Sequence, residues 1–279
     1  MSTVRPRIAI AGSGLAGLHC AVNLASSAEV TVYERLPVPG GEHWEDGEHH
    51  ALVRQARRGG VRFAAGTQVV RWEGDRLLAV GEGGGIAAAD ALVVATGHRP
   101  PTRAELRIDG NRCAGVVPAT LALHLLQQQV DLGHHVVVVG DSDWAAECIA
   151  LMTAQQDHAS IVWVGAAARP AHPSVTVLPD ARVTATHGMP RITGVTVESA
   201  PAVEQVVCDC LILAGPAVAY RNIDGAVLDD EPAVFAQRHP ETTDSSARIG
   251  LLAARHALAV GRAAPHTHIP VLPRIGLPR

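Results

Sequence analysis

The chain has 279 residues, with 47% hydrophobic and 18% charged side chains and a formal net charge of −4. That length fits one large or two modest domains with ample core, and the weak negative charge gives no electrostatic reason to expect nucleic acid or an anionic membrane as a partner. All 23 basic residues are Arg, which excludes a Schiff-base lysine and leaves anion binding to guanidinium groups and backbone N–H donors.

In chain order, the apolar run Ile8 to Ala11 predicts a buried parallel strand. Gly12, Ser13, Gly14, Leu15, Ala16 and Gly17 then spell G-x-G-x-x-G. Leu18 to Ser26 predicts a helix and Val30 to Tyr33 a second strand, which ends in Glu34. In that βαβ setting the glycines have separate jobs: Gly12 for a tight turn, Gly14 for close approach of backbone to a pyrophosphate, Gly17 for helix–strand packing. The helix N-terminus favours an anion, and an acid about twenty residues on is placed to accept from ribose hydroxyls.

Pro37-Val38-Pro39-Gly40-Gly41 reads as a turn, followed by the acidic, His-rich run Glu42 to His50. A helix is expected over Ala51 to Arg58, strands over Val61 to Ala64 and Gln68 to Trp72, and a hairpin from Leu77 to Val80 and Ile86 to Ala88. Ala91 to Ala95 is another apolar strand, closed by Thr96-Gly97-His98. Val116 to Val130 reads as a loop and then a helix. A second βαβ unit follows: strand Val136 to Val139, the turn Gly140-Asp141-Ser142-Asp143, helix Ala145 to Gln155 and strand Ser160 to Val164. Strands are expected over Val175 to Leu178, Arg182 to Thr186, Gly194 to Glu198 and Val206 to Leu213, and a last helix over Ala247 to Val260, before a Pro-rich, basic tail.

The five cysteines are an odd, sparse set without C-x-x-C, which points to a reducing compartment and a cytoplasmic protein. Arg5, Arg7, the apolar stretch and Ala25-Ser26-Ser27-Ala28 imitate a signal peptide, but the glycine spacing and the strand to Glu34 use the same residues structurally. No apolar run is long enough to cross a membrane. Cys208 and Cys210, spaced two apart on one expected strand, should point to the same face.

GSGLAG with Glu34, Pro39-Gly40-Gly41, the Ala95-Thr96-Gly97 strand end, the Gly140 to Glu147 turn, the segment Cys208 to Gly215 and the final helix together resemble the two-dinucleotide-binding-domain flavoproteins, the family of thioredoxin reductases and related pyridine-nucleotide oxidoreductases. The resemblance implies an α/β fold of two Rossmann-like three-layer domains, the second inserted into the first, with small antiparallel β-meanders. It implies a discontinuous FAD-binding domain, residues 1–112 plus 217–279, around an NAD(P)-binding-like domain, residues 113–216. FAD contacts are implied at Gly12, Gly14, Leu15, Ala16, Gly17, Glu34, Arg35, Gly41, Val70, Ala95, Thr96 and Gly97, and a second nucleotide, NAD(P)H, at Gly140 and Ser142.

The departures shape the expected function. Where thioredoxin reductases carry C-x-x-C, this chain reads Val117-Pro118-Ala119-Thr120-Leu121, so dithiol chemistry is not expected. The segment Gly115 to Gly133 is similar to a helix in the FAD subunits of opine, hydroxyproline and hydrogen-cyanide-forming dehydrogenases. In the second turn Ser142 stands where a glycine is expected, and Asp141 and Asp143 oppose a pyrophosphate. The family's closing Gly-Asp is replaced by Arg238-His239, which leaves Arg238 to approach the pyrophosphate.

Candidates for proton or stacking roles beside a flavin are His43, Trp44 and His98; the first two also read as a solvated loop, and His98 as a turn cap. The carboxylates and imidazoles of Glu42 to His50 match no metal-ligand spacing, so no metal is expected. The expected activity is an FAD-dependent oxidoreductase that moves electrons between NAD(P)H or a small organic substrate and an acceptor, as a homo- or hetero-oligomer. The alternative is a degenerate, partner-dependent flavoprotein-like subunit.

Overall fold

The computed structural model describes residues 5–41, 45–155, 160–165, 172–219, 233–236 and 245–264. The chain divides into two compact units, Met1–His98 with Ala219–Arg279 and Arg99–Val218.

The first unit contains β1 (Arg7–Ala11), α1 (Leu15–Leu24), β2 (Glu29–Tyr33), α2 (Gly47–Arg58), β3 (Arg62–Ala64), β4 (Thr67–Trp72), β5 (Arg76–Gly81), β6 (Gly85–Ala88) and β7 (Ala91–Val94). The chain leaves through β8 (His98–Arg99). The second unit holds β9 (Asp109–Gly110), β10 (Val116–Pro118), α3 (Ala119–Gln127), β11 (His135–Val139), α4 (Asp143–Gln155), β12 (Ser160–Val164), β13 (Val175–Leu178), β14 (Arg182–His187), β15 (Gly194–Ser199), β16 (Ala202–Val207) and β17 (Cys210–Leu213). It returns through β18 (Val218–Ala219) to β19 (Val234–Phe235) and α5 (Ser246–Ala263).

The first unit is three layers deep because its central strands are apolar on both faces. The sheet runs β19-β7-β1-β2-β3, all parallel, with Ile8 opposite Val30 and Ala91. Side chains alternate along each strand. Ile8, Ile10 and Val93 turn towards the helical face, packing with Cys20, Leu24, Ala253 and Ala257. Ala9, Ala11 and Val94 turn the other way and meet Trp72, Leu77 and Ala79 of the antiparallel meander β4-β5-β6. Arg7 is held at the sheet's lower end by Asp90, whose carboxylate accepts from the Arg7 backbone N–H and guanidinium at 2.7 Å each.

The second unit repeats the plan. Its parallel sheet runs β10-β17-β11-β12-β13. Val136, Val138 and Ile212 pack on α3 and α4, and Val137, Val139 and Leu211 on the meander residues Val183, Val195 and Val197. Residues 99–112, placed by sequence with the first domain, lie in this unit: β9 pairs with β14, and Ile108 is buried in its core.

Two expectations are corrected. The single strand expected over Val206 to Leu213 is two: β16 closes the meander and β17 enters the parallel sheet. Asp209 stands at the break, where its carboxylate accepts from the backbone N–H groups of His134 and His135, both at 3.0 Å. Cys208 and Cys210 therefore face opposite ways, Cys208 towards the meander core and Cys210 towards the helices. The second correction concerns α2, which starts at Gly47 rather than Ala51, so Glu48, His49 and His50 of the acidic run form its first turn.

Candidate functional site

The carboxyl ends of β1, β2 and β7 lie side by side, and the chain leaves each of them by a different turn. Between these turns is a cavity of about 230 Å³. Gly12, Ser13 and Gly14 line it after β1, Glu34, Arg35 and Leu36 after β2, and Ala95, Thr96, Gly97 and His98 after β7. Ala11, Tyr33, Gly41, Thr67, Gln68 and Val69 complete the wall. Such a crevice outside the carboxyl ends of parallel strands is where ligands bind in doubly wound sheets.

The backbone of the first turn requires its glycines. Gly12 has φ +102, and a Cβ there would meet the Ala95 carbonyl oxygen at 2.3 Å. A Cβ on Gly17 would come as close to the Gly12 carbonyl oxygen, so this glycine lets α1 lie against the turn. Gly14 is different: nothing stands within 4 Å of where its Cβ would project. It precedes α1, whose first turn holds no acid and receives no side-chain cap. The N–H groups that open this helix thus keep the partial positive charge that favours an anion.

Glu34 is fixed before any ligand arrives. It is 5% exposed. One carboxylate oxygen accepts from the Ser13 backbone N–H at 3.0 Å and from the Ser13 hydroxyl at 2.6 Å. The other accepts from the Leu36 N–H at 2.9 Å. An ionised carboxylate offers roughly four lone-pair sites; three are used, which leaves one acceptor for a ligand hydroxyl. The Ser13 hydroxyl in turn accepts from the Gly40 N–H at 2.8 Å.

His98 is half-buried at the edge of the cavity, and burial lowers its pKa from the usual histidine value. The Tyr33 phenol, also in the wall, is pushed the other way by burial.

The cavity gathers Gly12, Gly14, Glu34, Arg35, Gly41, Ala95, Thr96, Gly97 and His98 from the sequence-predicted set. It leaves out Leu15, Ala16, Gly17 and Val70. The first three belong to α1, and Val70 lies at the register shift of β4, where Thr67, Gln68 and Val69 line the wall instead. His43, Trp44 and Arg238 lie outside the described residues. Sequence reasoning passed over Ser13, whose only local signal was a hydroxyl between two fingerprint glycines.

The second unit has the same turn with different fittings. Gly140 has φ +106, and its Cβ would strike Gly215 at 2.2 Å. Ser142, however, donates its hydroxyl to the Ala214 carbonyl at 2.6 Å and accepts from the Ala145 N–H at 3.3 Å. It caps α4, and Asp143 adds an acid to the first turn.

All five cysteines are free. Burial pushes the thiols of Cys20, Cys148, Cys208 and Cys210 up to about 12. Among the described residues no group of three or more His, Cys, Asp or Glu side chains could hold a metal ion, and no helix is long and apolar enough to cross a membrane.

The family model of the pyridine nucleotide-disulphide oxidoreductases matches residues 6–215. Lactococcus lactis thioredoxin reductase is similar in structure, at 17% identity and a TM-score of 0.65, over 92% of this chain and 99% of that one. So is a pyridine nucleotide-disulfide family oxidoreductase from Enterococcus faecalis V583, at 16% identity and a TM-score of 0.66, over 90% of this chain and 68% of that one. Bacillus anthracis CoADR-RHD aligns at 14% identity and a TM-score of 0.65, over 92% and 57%. At these identities the likeness is one of fold. No curated protein matches the sequence. The matched model spans most of the chain, from β1 to the end of β17, and the chain belongs to the pyridine nucleotide-disulphide oxidoreductase family, with its FAD-binding dinucleotide-oxidoreductase fold and a general FAD/NAD(P)-linked oxidoreductase role.

Proposed function

We propose that the chain is an FAD-dependent oxidoreductase that passes electrons from a small organic substrate to an acceptor without dithiol chemistry, with NAD(P)H as the alternative reductant. The observation that carries this reading is the cavity at the β1, β2 and β7 ends, where an uncapped helix N-terminus stands beside a pre-set buried carboxylate. The donor set suits the adenosine diphosphate half of FAD. Gly14 leaves open space where a side chain would stand, the first N–H groups of α1 are available to a pyrophosphate, and Glu34 keeps one acceptor for a ribose hydroxyl.

Bound there, the flavin supplies the two-electron redox chemistry. The chain supplies position and proton handling. Gly12 and Gly14 would hold the phosphates, and Glu34 the ribose, with Arg35 beside it. Ala95, Thr96 and Gly97 would hold the part of the cofactor that reaches β7. His98, whose pKa burial lowers from the ordinary histidine value, has in its neutral form one ring nitrogen to accept a proton and another to donate one.

Two observations support the choice of electron source. The thiols of Cys20, Cys148, Cys208 and Cys210 are buried and stay protonated at neutral pH, and the thiolate is the reactive form. In the second unit, Ser142 occupies the helix-start donor that a pyrophosphate would need, and Asp143 sits in the same turn. Both disfavour a dinucleotide there.

An absorption spectrum of the purified protein tests the proposal. It should show a flavin band at about 450 nm, and heat should release FAD. A protein that is colourless, and stays so after incubation with FAD, refutes it. Anaerobic mixing should leave the band unbleached by NADH and by NADPH; rapid bleaching by either makes the nicotinamide the reductant.

A further inference from the structure

The Ser13 side chain is entirely buried, yet it is polar and sits between the two glycines of the turn. Its hydroxyl makes two bonds that leave the turn. It donates to Glu34 and accepts from the Gly40 N–H. Gly40 belongs to the loop that delivers Gly41 to the cavity wall, and a Cβ on Gly41 would come within 3.7 Å of the Gly14 nitrogen. One hydroxyl therefore joins the turn after β1, the Glu34 carboxylate and the loop that carries Gly41.

We infer that Ser13 is the positioning residue of the ribose site and sets its selectivity: it holds Glu34 so that one acceptor position faces an unmodified ribose hydroxyl. The inference rests on the cavity being the FAD site proposed above. The chemistry follows from counting acceptors. With the oxygen nearest Ser13 filled by two donors, only the oxygen shared with Leu36 has room. A ribose hydroxyl can donate to it. A ribose lacking that hydroxyl leaves a buried acceptor unpaired, and a phosphorylated ribose sets a second anion against a buried carboxylate. Without the Ser13 hydroxyl, Glu34 loses a charge-assisted bond and is freed to turn, and Gly40 loses its acceptor.

The test uses the full-length protein stripped of flavin and then titrated with FAD and with its 2′-deoxyadenosine and 3′-deoxyadenosine analogues. The wild-type chain should bind FAD more tightly than at least one deoxy analogue. Ser13→Ala should weaken FAD by about tenfold or more, the scale of a lost hydrogen bond to a charged group, while weakening that analogue far less, so that discrimination shrinks. Ser13→Cys replaces the hydroxyl with a slightly bulkier, weaker donor and should shift in the same direction by a smaller factor, which keeps the inference testable where the alanine variant does not fold. Equal losses for FAD and both analogues, with discrimination intact, overturn the inference, since that is how a residue serving only the turn behaves. Failure of the folded wild-type chain to bind FAD at all overturns the FAD reading itself, and the inference with it; tight FAD binding with no preference over either analogue overturns the inference alone.

Discussion

The two glycines that flank Ser13 make opposite predictions. Gly12→Ala places a methyl group on a residue with φ +102, against the Ala95 carbonyl oxygen at 2.3 Å and its carbon at 2.8 Å. Both neighbours are backbone of a buried strand end and cannot swing away. A side chain in that dihedral region costs about 1–3 kcal/mol, and forcing a group into packed space costs about 1–3 kcal/mol more. The sum, roughly 2–6 kcal/mol, is a large part of a typical domain stability of about 5–15 kcal/mol. Gly14→Ala meets nothing within 4 Å, on an extended backbone with φ −68 and ψ 177. Its stability should stay within about 1 kcal/mol of wild type, but the methyl group would stand in the cavity and FAD affinity should fall by about tenfold or more. Urea unfolding followed by circular dichroism measures the first effect, and flavin fluorescence titration the second. Equal stability for Gly12→Ala and wild type, or a Gly14→Ala chain that unfolds early while binding FAD normally, refutes the assignment of the first glycine to the fold and the second to the ligand.

Three further outcomes are expected. Ser245 caps α5 by accepting from the Arg248 N–H at 3.3 Å, so Ser245→Ala should cost about 1 kcal/mol and lower the melting temperature. In the native protein a thiol reagent at pH 8 should label Cys113 promptly, since it is the partly exposed cysteine, and reach the other four only on unfolding; prompt labelling of two or more thiols contradicts the burial argument. Hydrogen bonds from the Arg99 guanidinium, and from the Thr102 N–H and hydroxyl, hold the Glu105 carboxyl down to about 2. Its folded pKa lies below the usual 4.5, so its contribution is complete above the unfolded value and fades as pH falls towards 2. Because Glu105 is 40% exposed, solvent keeps that contribution under about 1 kcal/mol. Glu105→Gln should thus lower the urea midpoint slightly at pH 7 and leave it unchanged near pH 2.

Much of the fold is legible in residue order because the signals are local. Ile8 to Ala11 and Val136 to Val139 are apolar at successive positions, which only a strand buried on both faces requires, and both became central strands of parallel sheets. What escaped the sequence depends on partners far along the chain. The run Val206 to Leu213 keeps its apolar character through the point where it changes sheets, and the break is set by Asp209 bonding to His134 and His135. No period within the run could reveal that. The start of α2 is similar in kind: Asp46 stands at its N-cap and Glu48 in its first turn, so what read as an acidic loop is the polar opening of a helix.

The site divides along the same line, and the two glycine turns show why. Gly12 and Gly140 share a backbone conformation, φ +102 and +106, and each is pressed against the strand end beside it. The duplication of the fold lies in that shared constraint, which a G after a β-branched or apolar run is enough to suggest. The difference in chemistry lies in two serines. Ser13 turns its hydroxyl to Glu34, at the end of the next strand, and leaves the helix start uncapped beside open space at Gly14. Ser142 turns its hydroxyl to Ala214 and spends its oxygen on the helix start itself. The first turn leaves its helix start without a side-chain cap; the second satisfies a donor internally and adds the acid Asp143 to the first turn of α4. One scaffold thus carries a turn whose helix start is left uncapped and a turn whose helix start is capped from within. Restoring glycine tests that contrast: Ser142→Gly should leave the second turn folded around Gly140, free the Ala145 N–H, and raise NADH or NADPH affinity only when Asp143→Asn removes the charge as well. A single Ser142→Gly variant that binds either nucleotide tightly would show that the acid does not matter and that the hydroxyl alone keeps the turn closed.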